Sequence, residues 1–295
     1  VPVEVYRLFL EIKTKYNAEI KSLTKTLTEF VLREFLRVSV RNQKDGPMIT
    51  PGREVETYQR LLSGEDQPAT KIDRLDVRVP KTLQLYNLID TSGSMSLDIE
   101  GTLGFYTILT CAVLNIQEEL RKNSGKYNVA RLMQNSPVAI EIVGFDSTPQ
   151  IIIPLDGKMT LKKLAQGFDH LRNDTMAGGG TNDQRALTFE YGRMKLHRGD
   201  VLKILSMITD GGGQGDALEP ILRQIEEDRR IYFMVNGVGA NAGSVKAYYK
   251  QKFRPAYHYH VYAEESALVS EAIVKLIAFI QNCITSHFGR KGRRG

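Results

Sequence analysis

Three short runs that combine hydroxyl and carboxylate residues with glycine stand far apart in the sequence: Asp90-Thr91-Ser92-Gly93-Ser94, Gly178-Gly179-Gly180-Thr181 and Thr209-Asp210-Gly211-Gly212-Gly213. Asp90, Ser92, Ser94, Thr181 and Asp210 together form an all-oxygen donor set of two carboxylates and three hydroxyls. A hard dication such as Mg2+ takes six oxygens in a near-octahedral array and keeps several of its waters. Alternate residues 90, 92 and 94 in a turn can aim their oxygens at one point, and the adjoining glycines let the backbone close around it. With two formal negative charges around it, such an ion stays electrophilic enough to accept an acidic group from outside.

These runs need elements to hold them. After Pro80 the sequence alternates apolar strands with amphipathic helices. The patterning predicts strands over 83–89, 138–145, 201–209, 231–238 and 257–262, and helices over 101–121, 161–171, 182–194, 218–229, 244–252 and 267–285. Asp146-Ser147-Thr148-Pro149 is too short for a parallel crossover, so 150–154 is predicted to return antiparallel as an edge hairpin. The expected fold is α/β: a doubly wound, mostly parallel six-stranded sheet with one antiparallel edge strand, covered on both faces. Such sheets bind ligands beyond the carboxyl ends of their strands, near the point where strand order reverses. The first and third runs each sit at the carboxyl end of a predicted strand.

The remaining residues divide into a helical extension with a connecting segment (1–80), placed before the main domain (81–288), and a basic tail (289–295) expected to be disordered. Phe9, Ile12, Tyr16, Ile20, Leu23, Leu27, Phe30 and Val31 recur in steps of three and four, the spacing of one helix face about thirty residues long. A helix of that kind needs a surface for its stripe, either the main domain or another chain, so oligomerisation through it stays open. Between 41 and 80, Gly46-Pro47, Pro51-Gly52 and Ser63-Gly64 mark loops around one short helical piece near 54–62.

The 295 residues carry 40 Lys and Arg against 34 Asp and Glu, a net charge of +6. Four of those positive charges are Arg290, Lys291, Arg293 and Arg294, the other two belong to residues 1–80, and the region with the three runs is neutral. A nucleic-acid role would rest on that tail alone and be salt-sensitive and sequence-blind. Cys111 and Cys283 lie in apolar runs and read as buried reduced thiols. There is no uncharged apolar stretch of about 18 residues and no signal-peptide pattern, so a cytoplasmic setting is expected. Asp98, Glu100 and Asp183 read as helix-start acids, Asp146 as a turn residue, and His258 and His260 as part of a half-buried strand.

Asp90-x-Ser92-x-Ser94 with Thr181 and Asp210 resembles the metal-ion-dependent adhesion site of von Willebrand factor type A domains, over about residues 81–288. The resemblance implies that Ser92, Ser94 and Thr181 are hydroxyl ligands of Mg2+ (or Mn2+ or Ca2+). It implies that Asp90 and Asp210 bind directly or through water, and that a Glu or Asp of a protein partner completes the shell. The helical lead-in, the Gly-Gly-Gly-Thr loop and the missing secretion signal are similar to the intracellular branch of that family. The stretch from Pro51-Gly52-Arg53 through Leu75 is loosely similar to CobT-type cobaltochelatase subunits, which work with a ring-forming AAA+ ATPase of the MoxR/CobS group, although their long acidic region is missing. The expectation is thus an intracellular Mg2+-dependent interaction or adaptor module, working with such an ATPase. The alternative is a CobT-like subunit of a cobalt or magnesium chelatase in tetrapyrrole (cobalamin) synthesis. Catalysis by the chain itself is not expected: Asp90 is followed by Thr91-Ser92 rather than by a second acid, and no phosphate-binding G-x-x-x-x-G-K-[ST] run occurs.

Overall fold

The computed structural model describes residues 1–35, 48–49, 59, 62–63, 71–72, 82–122, 137–155, 159–197, 201–211, 218–228, 231–252 and 261–289. Six strands form one sheet: β1 (Thr82–Asp90), β2 (Val138–Phe145), β3 (Pro149–Ile153), β4 (Val201–Thr209), β5 (Ile231–Val238) and β6 (Val261–Ser266). Their spatial order is β3-β2-β1-β4-β5-β6. Every neighbouring pair is parallel except β2 with β3, where Phe145 lies opposite Pro149 in the expected hairpin. Strand order runs outward in both directions from the β1–β4 pair, so the ligand crevice of such a sheet lies beyond the ends of these two strands. Their register sets Ile89 beside Ile208, which brings Asp90 and Thr209 to the same edge.

The helices are α1 (Val3–Lys15), α2 (Asn17–Phe35), α3 (Ile99–Lys122), α4 (Leu161–Ala177), α5 (Asp183–Leu196), α6 (Glu219–Glu227), α7 (Ala242–Lys252) and α8 (Val269–Gly289). Helices α5, α6 and α7 cover one face, closing a core that includes Tyr86, Leu88, Leu205, Phe233 and Tyr249, while α3, α4 and α8 cover the other. Strands β2 and β5 are buried at every position, as their mostly apolar runs require of a strand covered on both sides. The run Gly93–Lys122 is long and apolar enough by composition to cross a membrane, but 83% of its apolar window is buried inside the fold. Cys111 and Cys283 are free and buried, and burial pushes the Cys111 thiol up to about 11.

Two sequence expectations change. The final strand is described over Val261–Ser266, running four residues past the expected end at 262, while 257–260, with His258 and His260, fall outside the described residues. Among the described residues this edge strand pairs only with β5 and leaves Tyr262 and Glu265 exposed, so its far end carries little of the apolar signal that marked the interior strands. The thirty-residue helix is also two helices, broken at Tyr16 (φ −96°, ψ 23°). The Tyr16 ring lies against Gly104 of α3, where any Cβ would collide with it. The amphipathic stripe survives the break: Phe9, Ile12, Leu23, Leu27 and Phe30 are all buried. Phe9 meets Phe168 of α4 edge-on at 5.5 Å, and Gln281 of α8 donates to Thr26 at 2.8 Å. Residues 1–30 therefore form one compact unit with 81–295. Residues 31–80 form a second unit, in which Met48–Ile49 and Lys71–Ile72 pair antiparallel. Most of the helical piece expected near 54–62, and the whole basic tail beyond Gly289, lie outside the described residues.

Charged side chains also lie inside the fold. Arg193 of α5 grips the buried Glu141 of β2 through Nε and Nη2, both at 2.5 Å, and Glu141 also accepts from the Leu155 amide. Lys203 of β4, 3% exposed, reaches the end of α5 and donates to the Met194 and His197 carbonyls, satisfying acceptors that a helix terminus leaves open. Glu190 is different: it is fully buried, and among the described residues no donor reaches either carboxyl oxygen. Burial first, and the neighbouring Glu141 charge second, push its carboxyl well above the ordinary 4.5.

Two predictions concern stability. Gly104→Ala, a change that favours most helices by about 0.5–1 kcal/mol, should here cost about 1–3 kcal/mol through the collision with Tyr16, read from urea denaturation midpoints. For Glu190, the folded chain holds a proton that the unfolded chain releases above 4.5, so this group's contribution is full at low pH and declines as pH rises. Glu190→Gln should flatten that decline, gaining stability relative to the parent as pH rises above the ordinary carboxyl range, in the same measurement.

Candidate metal centre

At the carboxyl end of β1 the chain must turn sharply beneath two other loops. Asp90 ends the strand with no exposed surface, and the residues after it enter a 3-10 turn, Gly93–Asp98, before α3 begins. The turn is fastened from below by Thr91, whose amide donates to the Phe145 carbonyl of β2 at 2.7 Å. It is fastened from the side by Gly93, whose amide reaches the Gly179 carbonyl at 3.3 Å. Gly178 ends α4 in the left-handed region (φ 66°), and an added Cβ there would approach the Gly93 Cα to 3.1 Å. Glycine thus serves both the helix stop and the close approach of the first two runs. The second run is held at its far side by the Asn182 amide, which donates to the Asp146 carbonyl at 2.9 Å. Asp146 also accepts from the Thr148 amide at 2.8 Å, the turn role expected of it.

The side chains of the first and third runs join in one hydrogen-bonded chain. The Thr209 hydroxyl donates to Asp90 Oδ2 at 2.6 Å, and the Ser92 amide donates to Asp90 Oδ1 at 2.8 Å. Ser92 and Ser94 hydroxyls are 3.2 Å apart, and Ser94 donates to Asp210 Oδ1 at 2.9 Å. Thr181 stands beside them: its Oγ1 lies 3.3 Å from where a Cβ on Gly211 would be. All five residues singled out in the sequence therefore gather at the β1–β4 reversal point. Asp90 and Ser92 are buried, Asp210 and Thr181 are partly exposed, and Ser94 is exposed. Gly212 and Gly213 lie outside the described residues.

Sequence reasoning missed two contributors. Asp183, expected to serve the start of its helix, is buried, and the capping role belongs to Asn182, whose Oδ1 accepts from the Arg185 amide at 3.0 Å. Asp183 Oδ2 instead accepts from the buried Tyr249 hydroxyl of α7 at 2.7 Å, while its Oδ1 is buried with no hydrogen-bond partner. No local pattern links Tyr249 to Asp183, because only the tertiary fold joins α7 to α5. The position of Asp183 two residues after Thr181 was the one available signal.

The electrostatics follow from this crowding of acids. Burial pushes the Asp90 carboxyl up to about 6, against the pull of the Thr209 and Ser92 hydrogen bonds, with the Asp210 charge adding to the rise. Burial likewise pushes Asp183 up to about 7, offset by the Tyr249 hydroxyl and reinforced by the Asp90 charge. Among the described residues, no cation figures among the groups acting on either acid. Buried carboxylates in this state are stabilised by a cation, and the donor set has the hard-oxygen character a small dication takes. Among the described residues there is no cluster of three or more His, Cys, Asp or Glu side chains that could hold a metal.

No protein-family model matches the chain, and no curated protein matches it. Among solved structures, the chain is similar to proximal thread matrix protein 1 from the mussel byssus, with a TM-score of 0.46 and 15% identity over 69% of this chain and 48% of that one. A structure of the same mussel protein with a zinc-occupied MIDAS motif is similar at a TM-score of 0.46 and 16% identity, over 69% of this chain and 48% of that chain. The pilus adhesin SpaC from Lactobacillus rhamnosus GG, in its open conformation, is similar at a TM-score of 0.47 and 12% identity, over 71% of this chain and 31% of that chain. The chain thus spans about half of the mussel protein and about a third of the adhesin.

Proposed function

We propose that the chain is a metal-dependent protein-interaction module of the von Willebrand factor A type, holding Mg2+ or a similar dication through Asp90, Ser92, Ser94, Thr181 and Asp210. The observation that carries this reading is the hydrogen-bonded run from the buried Asp90 through the Ser92 amide and the Ser92 and Ser94 hydroxyls to the half-exposed Asp210, at the sheet's reversal point. A dication bound there would supply an electrophilic position able to take a carboxylate from a partner protein. The chain's own residues do the rest. Thr209 and the Ser92 amide fix both oxygens of Asp90, and Ser94 orients Asp210. The Gly178–Gly93 contact keeps the second run pressed on the first.

We read the module as non-catalytic and cytoplasmic, in keeping with the sequence expectation. Partnership with an AAA+ ring, or a chelatase role, is a finer proposal that rests on residues 51–75, of which only 59, 62, 63, 71 and 72 are described. It remains an expectation of sequence resemblance alone.

Two measurements test the reading. Mg2+ at about 100 times its dissociation constant should stabilise the folded chain by about 2.7 kcal/mol, seen as a rise in Tm. Asp90→Asn and Ser94→Ala should abolish that rise. Affinity capture from the native cell should recover a partner in Mg2+ and lose it in EDTA or with Asp210→Ala, while circular dichroism of the variant stays unchanged. Partner binding that persists through both treatments would overturn the reading.

A further inference from the structure

A groove of about 700 Å³ runs along one flank of the metal centre, between α1, the 3-10 turn with the start of α3, and the last turns of α4. Two of its walls are continuous with the metal loops. Ser96 lines it two residues after Ser94, and Met176 lines it two residues before Gly178. Two residues of chain span at most about 7 Å, so a group bound at the loops and one bound at the mouth of the groove lie within reach of a single short peptide.

The lining has a definite chemistry. Ile12 and Leu103 form a buried apolar floor, and Met176, at 61% exposure, stands at its edge. Of the charged groups, Lys15 and Glu100 pair with each other. Glu11 is exposed and solvated. Arg172 is partly buried in the groove wall, and the described residues give it neither an ion pair nor a hydrogen bond. A partly desolvated guanidinium without an acceptor beside an apolar floor is suited to a carboxylate next to an apolar side chain. The volume lies within the range of well-formed ligand pockets. The wall contributed by α1 comes from the helical extension, so the groove exists only because that extension packs on the sheet domain.

We propose that this groove is a specificity subsite for the partner whose acid engages the metal. It takes an apolar side chain and a second acidic side chain a few residues from the metal-binding acid, with Arg172 receiving the second acid. The inference rests on the metal-centre reading for the placement of the first acid. The occupant is an acidic peptide segment of a partner protein.

Fluorescence anisotropy of the full chain with labelled ten-residue peptides tests it. Each peptide carries one fixed central Asp; the flanking positions hold Leu with Glu, Ala with Glu, or Leu with Lys. In Mg2+ the Leu-with-Glu peptide should bind about tenfold or more tighter than either other peptide, the scale of one charge-assisted hydrogen bond or one buried aliphatic group. Arg172→Glu should reverse the Glu-over-Lys preference, and Met176→Lys, at an exposed position, should weaken the Leu-over-Ala preference. Both variants should keep the parent's Mg2+ affinity by titration calorimetry. No preference in the parent chain, or preferences unchanged in both variants, overturns the inference. Mg2+-dependent binding with no flanking preference would remove the groove and leave the metal reading in place. Binding that is indifferent to Mg2+ yet sensitive to Arg172→Glu would retain the groove and remove the metal reading.

Discussion

A carboxylate with no accessible surface is an expensive thing to place at the end of a β-strand, and much of this molecule's architecture answers to Asp90. Its two oxygens are each held by a different element: one by the Ser92 amide of its own loop, one by the Thr209 hydroxyl at the end of the adjacent strand. The Thr209 bond exists because β1 and β4 are paired in register up to Ile89 and Ile208, the residues just before Asp90 and Thr209. The bonds lower the cost of burial without removing it, as the rise to about 6 records. A second buried acid, Asp183, is set nearby on the far side of the loop, so the region collects negative charge by design of the chain path. A strand end, two loops and two helices are thereby organised around charge that favours a cation.

The opposite problem is solved elsewhere with the chain's own cations. Glu141 is as deeply buried as Asp90, but Arg193 meets it with two bonds and the Leu155 amide adds a third. Lys203 is likewise satisfied by the carbonyls at the end of α5. The contrast between Glu141, neutralised from within, and Asp90, left among hydroxyls and other acids, separates a structural acid from one prepared for an external charge. Glu190 belongs to neither group: burial and the neighbouring Glu141 charge push its carboxyl well above the ordinary range.

What could be read in the sequence followed the physics of each element. Parallel strands buried on both faces leave mostly apolar runs, here interrupted only by single polar residues such as Glu141, Lys203 and Asn236, so 138–145, 201–209 and 231–238 were placed with their observed ends. The Asp90-x-Ser92-x-Ser94 spacing was legible because a turn brings alternate residues together locally. The break at Tyr16 was not, because the stripe of apolar residues continues across it in the same three-and-four rhythm, while the packing of the Tyr16 ring is against Gly104, eighty-eight positions away in α3. The Tyr249–Asp183 bond was invisible because its partners lie far apart in the sequence, and the far end of β6 was missed because an edge strand needs few apolar residues. The order of the strands was not legible, since it depends on long-range pairing; what the sequence did allow was the expectation that ligands bind beyond the carboxyl ends of the strands, near the reversal point.

The packing of α1 and α2 has a consequence for how this chain can be divided. Phe9, Leu23, Leu27 and Phe30 have no exposed surface, and the residues they cover on α3, α4 and α8 are an interior rather than an outer wall. The extension behaves as a subunit that has been covalently joined to its partner: an association that would otherwise depend on concentration is made permanent by the connection. A shorter chain beginning at the first strand would inherit a half-interface of apolar side chains facing water. Its natural remedy would be self-association, so the boundary that looks simplest in the sequence is one at which solubility would be lost.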